Sequence, residues 1–160
     1  MPDPQIPSSD TPKTPNQLRQ HWLSVLAKAE PDQIETLWSD LPEQPDWTPV
    51  RQPETGMVIV RGRVGGDGNR FNLGEMTMTR SAVRLSNGQT GLGYVHGRSR
   101  RHAELTAVLD AMLQSPEYRS AGASQLIEAL VSRQAEQRGI RSRKAATTKV
   151  EFFTLVRGDG

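Results

Sequence analysis

The chain has 160 residues, 34% hydrophobic and 5% aromatic, with a formal net charge of +2 and no cysteine. That length suits one compact domain, but its apolar content is thin, as in subunits completed by a partner. Disulfide frameworks, thiolate zinc sites and cysteine nucleophiles are excluded. No apolar run approaches the roughly 20 residues of a membrane span, and none forms a signal peptide, so a cytoplasmic protein is expected.

Charge is unevenly placed. Residues 1–55 hold four basic and nine acidic side chains, residues 56–97 five and two, and residues 98–160 eleven and seven. An acidic head and a basic remainder favour an anionic partner for the later part: phosphate, nucleic acid or an acidic protein surface.

Residues 1–16, with prolines at 2, 4, 7, 12 and 15, read as a disordered tail before one domain over 17–160. A first helix is expected over Gln17–Ala29, where Leu18, Trp22, Val25, Leu26 and Ala29 share a face. A second begins at Pro31, with Ile34, Leu37, Trp38 and Leu41 on one stripe, and ends at Pro42. Trp22 and Trp38 are expected to pack on each other. A proline-punctuated connector over 42–53 leads into an alternating strand, Met57–Val64. The glycines of Gly65–Gly68 lack the lysine and helical pattern of a phosphate loop and read as a hairpin loop. Arg70–Leu73 and Met76–Leu85 follow as strand, broken or bulged at Gly74.

Asn87-Gly88 signals a two-residue hairpin turn with positive φ at both positions. That turn pairs Leu85 with Thr90, Arg84 with Gly91 and Ala82 with Gly93. Val83, Leu85, Leu92 and Tyr94 then form the core face, and Arg80, Ala82, Arg84, Gly91 and Gly93 the other. Two readings of this bare, arginine-flanked strip stand side by side. A ligand or foreign backbone approaches it with the arginines clamping an anion, or a helix of the same chain packs there.

Ser99 suits the N-cap of a helix to about Gln114, with Leu105, Val108, Leu109, Met112 and Leu113 apolar and Ala103, Ala107 and Ala111 a small flank. Arg98, Arg100, Arg101 and His102 add positive charge where the helix dipole already supplies some. His102 reads either as an edge-of-core residue or as a polar group facing phosphate or a carboxylate. A further helix starts near Ser124 and stops at Gly139, followed by a basic run, Arg138, Arg141, Arg143 and Lys144, read as solvated. The apolar end, Val150–Val156, is expected to dock on the chain's own sheet or on another subunit; the Arg-Gly-Asp that follows reads as chance. His21, His96 and His102 lack metal spacing, and no catalytic constellation stands out.

Arg19–Ala29, Glu54–Leu85, Gly91–Glu104 and Val150–Gly160 together resemble the PhnG family, the G subunit of the bacterial carbon–phosphorus lyase system. The resemblance implies a cytoplasmic hetero-oligomer with H, I and J subunits, I being the expected direct contact, joined by an ATP-binding-cassette-like subunit. It further implies that ATP and a phosphonate are substrates of the complex, which releases adenine and forms a ribose 1-phosphonate 5-triphosphate. No cofactor, metal or membrane is implied for this chain, no activity alone, and no assigned catalytic residue.

The expected fold is α+β: an N-terminal helical pair and helices packed on an antiparallel sheet of about four strands. The candidate anion- or partner-binding residues are Arg80, Arg84, Arg98, Arg100, Arg101 and His102. Three functional readings result: an activity-directing subunit, a contributor of phosphate-binding arginines to a shared active site, and a free-standing nucleic-acid-binding module.

Overall fold

A computed structural model describes residues 14–147, so the proline-rich start before Thr14 and the apolar end from Val150 lie outside the described residues. The element order is α1 (Pro15–Lys28), α2 (Pro31–Ser39), β1 (Trp47–Arg63), β2 (Arg70–Leu85), β3 (Thr90–His96), α3 (Arg100–Gln114), a single turn α4 (Pro116–Tyr118) and α5 (Ser124–Thr147).

Helix α1 starts inside the stretch expected to be tail. The Thr14 hydroxyl accepts from the Gln17 amide at 3.3 Å, and Gln17 Oε1 accepts from the Thr14 amide at 2.8 Å. This reciprocal cap, with Pro15 at the first helical position, satisfies donors that the first turn otherwise leaves unpaired. At the other end of the chain, α5 runs through Gly139 to Thr147 rather than stopping there. A glycine costs an exposed helix only about 1 kcal/mol, and the good helix formers around it outweigh that.

The sheet has three antiparallel strands in the order β1-β2-β3, not four. The segments expected on either side of Gly74 are one strand, because a bulge at Leu73 lets pairing resume from Val60↔Gly74 to Arg61↔Asn72. The Val64–Gly68 glycine turn joins β1 to β2, as expected, with Gly65 and Gly66 at positive φ.

The β2–β3 turn differs from expectation in a way that reorganises the sheet. Leu85 N–H donates to the Gln89 carbonyl at 2.8 Å and Gly88 N–H to the Leu85 carbonyl at 2.9 Å, closing a three-residue loop. Gly88 alone of the loop has positive φ, as in a type I turn followed by a bulge. The pairs are therefore Arg84↔Thr90, Val83↔Gly91 and Ala82↔Leu92, one residue off the two-residue register. A one-residue slip turns every side chain to the other face. Gly91 and Gly93 join Ser81, Val83 and Val95 on the inner face, while Leu92 and Tyr94 stand about half exposed on the outer one with Arg80 and Arg84.

Helix α3 lies directly on those glycines. A methyl at position 91 would sit 1.9 Å from the Ala107 carbonyl oxygen, and one at position 93 would sit 1.9 Å from that of Ala103. The alanine flank is thus the contact stripe, and the helix is buried from His102 to Leu113 apart from Glu104. Its far side meets α1 and α2, and shares one core with Leu26, Ile34, Trp38, Leu126 and Leu130. Trp38 packs edge-on against Trp47, centroids 5.7 Å apart, rather than against Trp22. Trp22 instead donates its indole N–H to Asp110 at 2.8 Å. The same buried carboxylate takes two bonds from Arg19 and one from the Leu92 amide, tying α1, α3 and β3 together.

Gly91→Ala is expected to cost about 3 kcal/mol or more, because backbone must move to admit the methyl, whereas Gly74→Ala, with nothing within 4 Å, should cost under about 1 kcal/mol. Urea unfolding of the two variants checks this. The Thr106 hydroxyl is fully buried with no hydrogen-bond partner. Thr106→Val should therefore stabilise by about 1 kcal/mol in the same titration.

Candidate anion- and partner-binding surfaces

The six candidate residues fall on two surfaces. Arg80 and Arg84 project from the outer face of β2, away from the glycines with which they were expected to share a face. Opposite them, β1 brings Glu54, whose carboxylate accepts from Arg51 and, at 2.8 Å, from Arg80. Those bonds, Arg51 first and then Arg80, hold the Glu54 carboxyl below its usual range. Arg80 thus has a carboxylate partner within the chain, which it shares with Arg51. Arg84 makes no ion pair among the described residues. Between β1 and β2, Glu54, Gly56, Val58, Met78, Arg80 and Tyr94 line a shallow groove of about 190 Å³.

The second surface is the start of α3. Ser99 caps the helix by accepting from the His102 amide at 3.2 Å. Arg101 reaches across to α2, where both Glu35 carboxylate oxygens accept from it at 3.0 and 3.1 Å, and it also bonds Glu104 at 3.1 Å. The Arg101 bonds hold the Glu35 carboxyl below its usual range and raise the guanidinium's own pKa further. This bidentate pair fastens α2 to α3 and offsets the charge that the helix dipole would resist. Arg98 and Arg100 stay exposed and make no ion pair among the described residues.

His102 is 4% exposed, and its Nε2 lies 2.9 Å from the Leu26 carbonyl. A carbonyl only accepts, so Nε2 carries the proton. Burial pushes the ring's pKa down despite that bond, and the neutral ring closes the end of α1 against α3. His102 also lines a cleft of about 590 Å³ with His96, Lys28, Glu30, Arg138 and Arg141. The fold thus gathers two histidines that sequence spacing kept apart. No group of three or more potential metal ligands occurs among the described residues, and no helix among them is long and apolar enough to cross a membrane.

The partners Glu54, Glu35 and Asp110 were not singled out by sequence reasoning. Glu35 carries no local mark, since Arg101 comes from 66 residues away, and Glu54, though three residues from Arg51, meets Arg80 from 26 residues away. Asp110 did carry one: it is a lone carboxylate in the middle of a helix whose neighbours are apolar on both sides.

These elements define a two-layer α+β module, helices on one face of the sheet and the other face uncovered by the described residues. The chain belongs to the PhnG family, whose model, described as phosphonate metabolism protein PhnG, matches residues 17–158. It is 40% identical over 141 residues to the alpha-D-ribose 1-methylphosphonate 5-triphosphate synthase subunit PhnG of Rhizobium meliloti (strain 1021), covering 88% of this chain and 90% of that one.

A group whose pKa is lowered on folding contributes stability above its unfolded value and loses it as pH falls. The melting temperature should therefore drop as pH falls below about 6.5. In His102→Gln, which keeps a donor for Leu26, melting should vary less between pH 7 and pH 5. Parallel curves for the two proteins would remove His102 as the cause.

Proposed function

We propose that this chain is a subunit of a synthase that transfers the ribose triphosphate portion of ATP to a phosphonate and releases adenine. In this reading it works in the cytoplasm alongside H, I and J subunits and directs assembly rather than catalysing a step. The observation that carries the reading is the 40% identity, over nearly the whole chain, to a protein named as a subunit of an alpha-D-ribose 1-methylphosphonate 5-triphosphate synthase. The geometry supports an assembling role. Arg80 and Arg101 are engaged by the chain's own carboxylates, His102 is engaged in packing, and the outer sheet face leaves Leu92 and Tyr94 about half exposed.

The second reading, phosphate contact in a shared active site, draws on Arg84, Arg98 and Arg100. Replacing these three with Gln in the chain co-expressed with its cognate H, I and J subunits separates the two. The assembling role predicts weaker co-elution, with adenine release falling in step with the assembled fraction. Normal assembly with adenine release down about 100-fold or more, the size of a lost transition-state contact, would favour the shared active site. Turnover by the isolated chain would overturn the assembling role outright.

A further inference from the structure

Beyond the point where β3 ends, at His96↔Met78, β1 and β2 continue together for seven more residue pairs, from Met57↔Thr77 to Arg63↔Arg70. At about 3.3 Å per residue this is a two-stranded arm roughly 23 Å long. Such a ribbon is at best marginally stable alone in water. This one is also apolar on both sides. Met57 is 68% exposed, Ile59 56%, Phe71 42% and Leu73 66%, and Val64 at the tip is 63% exposed.

The two faces differ. Val58, Val60, Met76 and Phe71 share one of them, with the Phe71 ring lying over Gly62, 3.2 Å from where a Cβ would be. That face runs without a break into the outer sheet face of Met78, Tyr94 and Leu92, past the groove beside Glu54 and Arg80. The other face ends in Arg61, Arg63 and Arg70, with Arg63 directly opposite Arg70. Like charges across a strand pair repel. Among the described residues none of the three has a carboxylate within 4 Å; Arg63 donates to the Gly68 carbonyl at 3.3 Å. Pro49 and Pro53 interrupt the β1 edge near the core, but no proline lies from Glu54 to Arg63, so the arm's edge is open to pairing.

We infer that the β1–β2 arm is an insertion element received by another polypeptide, in an apolar cleft whose rim carries carboxylates opposite Arg61, Arg63 and Arg70. The inference rests on the subunit reading and names the element that performs it. Apolar side chains on both faces call for an occupant that wraps the ribbon, as a protein cleft does and a membrane surface does not. Three arginines against Asp67 and Glu75 are too little net charge for a phosphate backbone, whereas they match a few carboxylates. The continuous strip from Phe71 to Leu92 lets the same partner cover the outer sheet face as well, extending the contact toward the roughly 800 Å² per side that a specific interface needs.

The test uses the full chain co-expressed with its cognate H, I and J subunits, compared with Arg61→Glu/Arg63→Glu/Arg70→Glu and, separately, Phe71→Ser/Leu73→Ser. Because these positions touch nothing in the core, melting of the isolated variants should stay within about 3 °C of the parent. Affinity for the assembled partners should fall about 100-fold or more, and amide exchange over residues 56–76 should slow on assembly of the parent chain. Parent and variants co-eluting with equal affinity, and arm exchange unchanged, would overturn the inference while leaving the subunit reading intact. A parent chain that binds none of the subunits would overturn both. Arm protection appearing on self-association of the chain alone would overturn it in favour of a second copy.

Discussion

The fold depends on the direct contact of a helix backbone with a strand backbone. Gly91 and Gly93 on β3 and the carbonyls of Ala103 and Ala107 on α3 meet with no room for a side chain on the strand. Because the helix sits this low, its opposite side is free to take Leu26, Ile34, Trp38 and Leu130, so one fifteen-residue helix is buried on nearly all sides. A chain that is only 34% hydrophobic builds its core by wrapping everything around that helix.

Charge is arranged to suit the same centre. Asp110, fully buried, is matched by Arg19, Trp22 and the Leu92 amide, which satisfy its oxygens, and its hydrogen bonds raise the Arg19 pKa further. A buried carboxylate without those donors would cost several kcal/mol, so the cluster fixes α1 and β3 on α3 rather than simply adding stability. The pairs at the rim, Arg101 with Glu35 and Arg80 with Glu54, work in water, where their chief effect is to set the orientation of α2 and the outer sheet face. Part of the positive charge that the sequence places beside the sheet and the α3 start, at Arg80 and Arg101, is thus met from within.

Much of what the fold leaves unmet is apolar. Helices cover one face of the sheet, and the other presents Leu92 and Tyr94; past the core, the arm carries Met57, Ile59, Phe71 and Leu73 into solvent. In the proposed reading as a synthase subunit, that exposure has a reason. Surface of this kind is what an assembling protein retains after folding.

Most of the elements were legible in the chain alone, although β1 begins at Trp47, inside the stretch expected as a connector. The 3.6-residue spacing marked α1, α2 and α3, Ser99 marked the start of α3, the glycines after Val64 marked the first turn, and the quoted segments carried the family likeness. Its reading failed where information was nonlocal or finely balanced. Asn-Gly favours a two-residue turn but also serves a three-residue turn with a glycine bulge, and the two differ by one residue of register. Only the packing of α3 decides between them, since burying Leu92 and Tyr94 would leave the glycines outside and the helix without a seat. Tertiary structure alone also paired Glu54 with Arg80 and Glu35 with Arg101, because an ion pair across the fold leaves no periodic trace in the chain that makes it.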